Sequence, residues 1–187
     1  MIVFLPLIII GVILLWIVLK YNSLVTLKNR VANAWQQIDV QLKRRHDLIP
    51  NLVNTVKGYM EFEQDTLRQV ITARNAAVSA TGVADAAAKE GDVTRALSKL
   101  FALVENYPTL KANENVQQLM EELSSTENKV GFARQFYNDI ATNFNIAQQT
   151  FPGNTIAGMF NFQRVELFKI ENAEERNVPV VDLSMKK

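Results

Sequence analysis

An uninterrupted apolar run near the N-terminus is the strongest constraint on what this chain can fold into. The run from Ile2 to Leu19, IVFLPLIIIGVILLWIVL, contains no charged side chain. As an α-helix it extends about 27 Å, which is close to the hydrocarbon thickness of a bilayer. Pro6 lies in the first turns, where a missing N–H costs little. Trp16 and Tyr21 lie near the other end, where aromatic rings favour the membrane interface. The run therefore predicts a transmembrane anchor over residues 1–20.

A cleaved signal peptide and a buried core helix are the two alternatives to an anchor. No Lys or Arg precedes the apolar run, and the sequence WIVLKYNS offers no small-x-small cleavage site. A buried helix in a soluble protein is rarely apolar on every face. An uncleaved single span is therefore the better interpretation.

The charges that follow the span predict its orientation. Lys20, Lys28 and Arg30 come before the first acidic residue, Asp39. By the positive-inside rule, the N-terminus lies outside a cell (inner) membrane and the remaining chain in the cytoplasm; the opposite orientation is the alternative. Lys20, Lys28 and Arg30 are also well placed to contact anionic lipid headgroups.

Apolar residues recur at helical spacing through most of the remaining chain. Beyond the span they form a seam in steps of three and four that includes Leu24, Leu27, Val31, Ala34 and Ile38. The membrane helix is therefore expected to continue into water as one rod that ends near Arg45. Broader stripes follow, which are typical of a bundle. The pattern predicts an all-α fold: a transmembrane helix continuing into an antiparallel bundle of three to four long helices over residues 21–150. Pro108 either kinks one helix or separates two.

The C-terminal part, residues 151–187, is predicted to differ from the bundle. The sequence FPGN, residues 151–154, is expected to end the helical region. Met159, Phe160 and Phe162 are expected to form a hydrophobic clasp against the end of the bundle. The β-branched sequence VPVVDL predicts a short extended tail that could pair with a sheet edge on a partner.

The sequence RRHDLIPNLV is predicted to form the turn of an αα-hairpin. Proline disfavours helical geometry at the residue before it, and an aspartate can cap an incoming helix. Lys43, Arg44 and Arg45 would then lie in the last turn of the outgoing helix, exposed to solvent beside the negative end of its dipole. The residues assigned to the turn are His46, Asp47, Leu48, Ile49 and Pro50.

Catalytic and metal sites are not indicated. The chain has no cysteine, which removes disulfides, thiolate ligands and cysteine nucleophiles. His46, the sole histidine, has only Asp47 as a sequence neighbour that could orient it, and neighbours seldom form such a pair. Glu61, Glu63 and Asp65 lack the Glu-x-x-His partners of a di-iron bundle. No catalytic, cofactor or metal residue is predicted, and the net charge of +1 gives no footprint for nucleic acid.

Long motifs after the span resemble the LemA family of bacterial membrane proteins. They include WQQIDVQL from Trp35, DLIPNLV from Asp47 and FNIAQQTFPGNTIA from Phe144. Phe62 departs from the pattern, because relatives often carry histidine there. The resemblance implies a single N-terminal span followed by an antiparallel helical bundle, with no catalytic residues or cofactor to carry over. It further implies a role in membrane organisation, including magnetosome formation, and an association with membrane proteases.

Residues and resemblance together predict a non-enzymatic, membrane-anchored helical scaffold that self-associates, with membrane lipids and copies of itself as partners. The alternative is an adaptor or regulator of a membrane protease, engaged through the C-terminal tail.

Overall fold

The fold is all-α, as the sequence predicts. The computed structural model describes residues 4–169, apart from the side chains of Leu5 and Glu61. Within that range the chain forms six α-helices and no β-strand. A single 3-10 turn, Glu61–Glu63, precedes the second helix. The helices are α1 Phe4–Val56, α2 Gln64–Val78, α3 Gly82–Glu105, α4 Pro108–Lys111, α5 Glu114–Gln149 and α6 Gly153–Met159.

Helix α1 is both the apolar span and one wall of the bundle. It is continuous over 53 residues and passes through the predicted boundary at residue 20 without a break. Among the described residues it is the one helix long and apolar enough to cross a bilayer, and only 6% of its most apolar stretch is buried within the fold. A core helix of a soluble protein would be mostly covered, so the exposure favours a segment that is covered by lipid.

The predicted end of α1 near Arg45 is wrong, as is the predicted turn at His46, Asp47, Leu48, Ile49 and Pro50. The helix contains Pro50 and ends eleven residues after Arg45, at Val56. Because proline has no N–H, the carbonyl of His46 lacks its usual donor four residues on. The Arg74 side chain of α2 supplies that donor, with Nε 3.1 Å from the His46 oxygen. A side chain remote in sequence therefore satisfies the carbonyl that Pro50 leaves without its helical donor.

Helices α1 and α5 pack antiparallel along most of their bundle portions. The early part of the α1 seam, Val31–Leu42, shares a core cluster with the later part of α5, Val130–Phe144. The later part, Ile49–Val56, shares a second cluster with Val116 and Leu123 near the start of α5. The antiparallel arrangement follows from this reversed order. Helices α2 and α3 form a hairpin that completes the second cluster, through Leu67, Val70, Val93, Leu97, Leu100 and Val104.

Short polar connections link these helices. The α2–α3 turn ends at Gly82, whose φ of 81° lies in the left-handed region that favours glycine. The Asp85 carboxylate accepts a hydrogen bond from the Thr81 backbone N–H at 2.8 Å. Pro108 separates two helices rather than kinking one, because α3 ends before it and α4 begins at it. The side chain of Asn113 then caps α5 by accepting from two backbone N–H groups.

The sequence FPGN does not end the helical region, because only Phe151 and Pro152 form a turn and α6 begins at Gly153. Gly153 packs so tightly on α5 that a Cβ there would clash with the Ala147 carbonyl oxygen, so no larger residue fits without a shift of the backbone. Of the predicted clasp residues, Phe160 and Phe162 contact the Tyr21 ring, whereas Met159 is 67% exposed. The predicted extended tail, VPVVDL, lies outside the described residues.

Candidate functional site: a buried charge cluster

Arg45 lies at the centre of the bundle and is the most deeply buried cation among the described residues. Its side chain is only 2% exposed. Its guanidinium nitrogens bind Glu90 of α3 at 3.0 Å and Glu127 of α5 at 2.8 Å. The hydroxyl oxygen of Thr94 accepts a third hydrogen bond at 2.8 Å. The prediction that Arg45 is a solvated helix end is therefore wrong, and the cluster joins α1, α3 and α5.

Glu90 is the second centre of the cluster. One carboxylate oxygen accepts from Arg45, and the other lies 2.6 Å from Nε2 of His46. His46 thus has a carboxylate partner 44 residues away in sequence. Arg45 places one positive charge between the two carboxylates of Glu90 and Glu127. Burial of unlike charges is tolerated only when they are paired and hydrogen-bonded in this way.

The sequence carries a signal for this cluster that the turn prediction overlooked. The α1 seam continues from Leu42 to Arg45 and then to Ile49, in steps of three and four. Arg45 therefore occupies a core position of the same periodic pattern. An unbroken seam across the proline was the available indication that the helix continues. The identity of the partners, Glu90 and Glu127, depends on tertiary packing and has no local signal.

Two clefts flank the cluster. One, of about 230 Å³, lies between α3 and α5 and includes Thr94, Ser98 and Asn128 around Arg45. The other, of about 410 Å³, brings Trp35 and Arg74 beside His46 and Glu90. Among the described side chains, no three of His, Cys, Asp and Glu come together as a metal site.

The polar groups of the cluster bond mainly to one another. The Thr94 hydroxyl accepts from Arg45 and has one proton to donate, with the Glu127 carboxylate and the Glu90 carbonyl oxygen each 3.1 Å away. Both oxygens of Glu90 are engaged. These bonds join three helices through buried polar groups, an arrangement that can specify helix register in other proteins.

The exposed members of the predicted turn contribute only local contacts. Asp47 does not cap a helix; it lies on the outside of α1 and accepts a hydrogen bond from Lys43 at 2.8 Å. That bond lowers the pKa of the Asp47 carboxyl below its usual value. Leu48 and Pro50 are half-buried, whereas Ile49 is fully buried in the core. Lys20, Lys28 and Arg30 are exposed along α1.

A second polar feature holds residues 162–169, here called the C-terminal segment, against α5. Asn145 donates to the Val165 carbonyl at 2.9 Å and accepts from the Val165 N–H at 3.0 Å. Asn138 pairs with both backbone groups of Phe168, at 3.0 and 2.8 Å. Seven residues of helix rise about 10.5 Å, which matches about 10 Å for three extended residues. The two asparagines therefore act as a ladder for one side of an extended backbone.

Aromatic packing reinforces the same attachment. The Tyr137 hydroxyl donates to the Glu166 carbonyl at 2.8 Å, and burial, followed by the charge of Glu166, raises the pKa of this phenol. Phe168 is buried beside Trp35 and has the Arg134 guanidinium 4.9 Å from its ring centroid. Of this segment, only Phe162 was predicted to pack on the bundle. Phe168 was not, because an isolated phenylalanine after a turn has no periodic signal.

Comparison with known proteins places this architecture in a family. The family model described as "LemA family" matches residues 34–183, which is most of the chain. "Protein LemA" of Metamycoplasma hominis is 29% identical, with 88% of this chain and 75% of that protein aligned. "Magnetosome protein MamQ 2" of Paramagnetospirillum magneticum is 24% identical, over 82% of this chain and 66% of that protein. "Magnetosome protein MamQ" of Magnetospirillum gryphiswaldense is 23% identical, over 81% and 65%.

None of these names is that of an enzyme, and the chain spans slightly less than two thirds of either magnetosome protein. The matched region contains the charge cluster, the proline within α1 and both asparagines of the ladder. A long apolar N-terminal helix and a helical bundle are also what the sequence motifs implied. On these grounds, the chain is a member of the LemA family.

Proposed function

We propose that this chain is a non-enzymatic, membrane-anchored scaffold that self-associates and contributes to membrane organisation. The observation that carries the proposal is the continuity of α1 from Phe4 to Val56. The part from Lys20 to Val56 rises about 55 Å, so the bundle is held at a set height above the bilayer. The magnetosome proteins among the relatives support a role at a membrane.

The surface proposed for self-association is the α1–α5 groove, on the outer side of that helix pair. It has a volume of about 680 Å³ and is lined by Asn33, Gln36, Gln37, Val40, Gln41, Lys129, Phe132, Ala133 and Phe136. Three of its apolar side chains are exposed: Val40 by 62%, Phe132 by 74% and Phe136 by 46%. Exposed apolar residues in contiguous patches are typical of interaction sites. Only one lining residue, Lys129, is charged, so two copies would meet here with little repulsion.

A second copy is the occupant that the anchor favours. Two copies in one bilayer present the same groove at the same height, because each α1 fixes its own bundle. A two-fold axis along the membrane normal would bring identical patches together, as a closed dimer requires. Anchoring also raises the local concentration, so a modest patch suffices for association.

Disulfide cross-linking tests this contact in native membranes. The chain has no cysteine, so a single Val40→Cys substitution provides a unique reporter in the α1–α5 groove. We expect a cross-linked dimer on mild oxidation, because a disulfide forms only between closely apposed positions. Asp39→Cys is the matched control at the same height, since Asp39 is exposed and lines the cleft beside His46 instead. A Val40→Cys protein that stays monomeric at every expression level, or that cross-links no better than Asp39→Cys, would refute the contact.

Lipid contact by Lys20, Lys28 and Arg30 and a cytoplasmic bundle belong to the same proposal. The exposure of these cations on the first turns beyond the span supports both. A Phe62→Cys protein tests the orientation, because Phe62 is 95% exposed at the end of the bundle far from the span. A membrane-impermeant thiol reagent should label it only after the cells are opened. Labelling in intact cells would contradict the cytoplasmic location and place the bundle outside the cell membrane.

The second candidate function is an adaptor or regulator of a membrane protease, engaged through the C-terminal tail. It is favoured by the extent of the family match, which runs to residue 183 and so includes VPVVDL. Deleting residues 177–187 distinguishes the two functions. Loss of a co-purifying protease with intact Val40→Cys cross-linking would favour the adaptor. Loss of cross-linking with the protease retained would favour the scaffold.

A further inference from the structure

The membrane-proximal end of the bundle has a surface unlike the rest of the molecule. From residue 140 to residue 163 the sequence contains no Asp, Glu, Lys, Arg or His, although 21% of the whole chain is Asp, Glu, Lys or Arg. This stretch includes the last turns of α5, the FPGN turn and all of α6. A water-exposed surface of this length normally carries charge.

The same region exposes large apolar side chains. Phe151 is 84% exposed, Met159 67% and Phe160 49%, and Ile146 on α5 is 50% exposed. Aromatic rings and apolar side chains without nearby charges are the composition of a surface at the boundary between headgroups and acyl chains. Composition alone does not distinguish a lipid-binding surface from a protein-binding surface. The position of this surface relative to the bilayer does.

Contacts with α1 set that height. Trp16 and Ile17, near the end of the apolar run, pack against a cluster formed by Leu24 of α1 and by Ile156 and Ala157 of α6. They lie two to three residues before Leu19, which is about 3–5 Å along the helix axis. The interfacial zone on each side of a bilayer is about 5–7 Å thick. Helix α6 therefore reaches the level of the interface whenever the apolar run is in the membrane.

The direction of α5 brings Phe151 to the same level. Because α5 runs antiparallel to α1, its C-terminal end points towards the span. Ala147 of α5 packs against the same cluster as Trp16. Phe151 follows two residues after the last residue of α5, Gln149. The exposed ring thus lies beyond the end of the helix, on the side of the bilayer.

We infer that Phe151, Met159 and Phe160 form a second lipid contact, which inserts into the interface of the bilayer that holds the span. It rests on the proposed membrane anchoring, but it differs from the cationic contact through Lys20, Lys28 and Arg30. The span attaches α1 to the membrane, and this contact adds a second attachment at the ends of α5 and α6. Together they hold the bundle against rotation about the axis of α1.

Spin labelling of the full chain in vesicles of phosphatidylethanolamine and phosphatidylglycerol tests the inference. Single cysteines replace Phe151, Leu14 in the span and Phe62 at the far end, which are 84%, 57% and 95% exposed, so the fold is not disturbed. The measured quantities are the collision rates of each nitroxide with oxygen, which concentrates in lipid, and with a water-soluble nickel chelate. We expect the oxygen-to-nickel ratio at Phe151→Cys to approach that at Leu14→Cys. It should exceed that at Phe62→Cys several-fold.

Each other outcome overturns a defined statement. High nickel collision at Phe151→Cys with lipid-like values at Leu14→Cys would refute the second contact and leave the anchor intact. Low collision with both reagents at Phe151→Cys would show that protein, such as a second copy, covers the ring instead of lipid. Water-like values at Leu14→Cys would refute the anchor itself, and the inference with it.

Discussion

Replacing Arg74 with methionine removes the donor that satisfies the His46 carbonyl inside α1, while keeping much of the aliphatic packing. In the native chain that carbonyl has lost its helical partner to Pro50 and accepts from Arg74 Nε at 3.1 Å. The Arg74→Met protein therefore leaves a half-buried carbonyl unpaired. A lost hydrogen bond to a charged group, or an unpaired buried acceptor, costs about 1–3 kcal/mol.

The Pro50→Ala background gives the matching half of a double-mutant cycle. Alanine at position 50 restores a backbone N–H that can donate to the His46 carbonyl, so Arg74 is no longer required there. Arg74→Met should then cost only its exposed interactions, which are a hydrogen bond to Asn75 and the attraction of its charge for the Asp47 carboxylate. These interactions are removed in both backgrounds and cancel. The expected coupling free energy is about 1–2 kcal/mol.

Urea denaturation of the full chain in detergent, followed by helical circular dichroism, measures the four free energies of unfolding by linear extrapolation. Arg68→Met is the control for removing an α2 arginine. The Arg68 side chain is 75% exposed, and its ion pair with Asp65 is long, at 4.0 Å. If Arg74→Met costs the same in both backgrounds, or no more than Arg68→Met, the side chain does not support the proline and the reasoning fails.

Arg45→Met should lower the free energy of unfolding by about 3–5 kcal/mol, because it leaves Glu90 buried without the Arg45 guanidinium. Arg44→Met is the control, since the Arg44 side chain is 52% exposed, and it should cost under about 1 kcal/mol in the same denaturation assay. Asn145→Ala should cost about 1–3 kcal/mol through its two lost hydrogen bonds, and should speed amide hydrogen exchange of the C-terminal segment; unchanged exchange would contradict the ladder. The Thr81 N–H bond and Lys89 lower the pKa of Asp85, so its stabilisation is complete above the usual carboxyl pKa of 3.8 and is lost as the pH falls through the lowered value. Asp85→Asn should flatten the acid limb of melting temperature against pH; an unaltered limb would show that Asp85 does not contribute.

Periodic features of the sequence predicted most of the fold. The seam from Leu24 to Ile38 and the later stripes gave long helices in a bundle, because apolar burial acts at every turn. Apart from Phe162, the C-terminal segment was not predicted as core, because its attachment depends on hydrogen bonds from Asn138 and Asn145 to its backbone, which have no local sequence pattern.

The proline error has a specific physical origin. Local chemistry at RRHDLIPNLV favours a turn, and that preference would prevail in an isolated peptide. In the folded chain, burial of Leu52, Val53 and Val56 together with the Arg74 donor outweighs it. The charge cluster was missed for the same reason. Arg45 and Glu90 are 45 residues apart, so their pairing depends on tertiary packing.

An unbroken α1 has a mechanical consequence for the molecule in a membrane. A helix without a hinge transmits any tilt of its lipid-embedded part to its distal tip, so a 10° change in tilt would sweep Val56 sideways by about 10 Å over its 55 Å reach. Span tilt responds to bilayer thickness. Local thinning or thickening of the lipid would thereby change the spacing between the tips of neighbouring molecules.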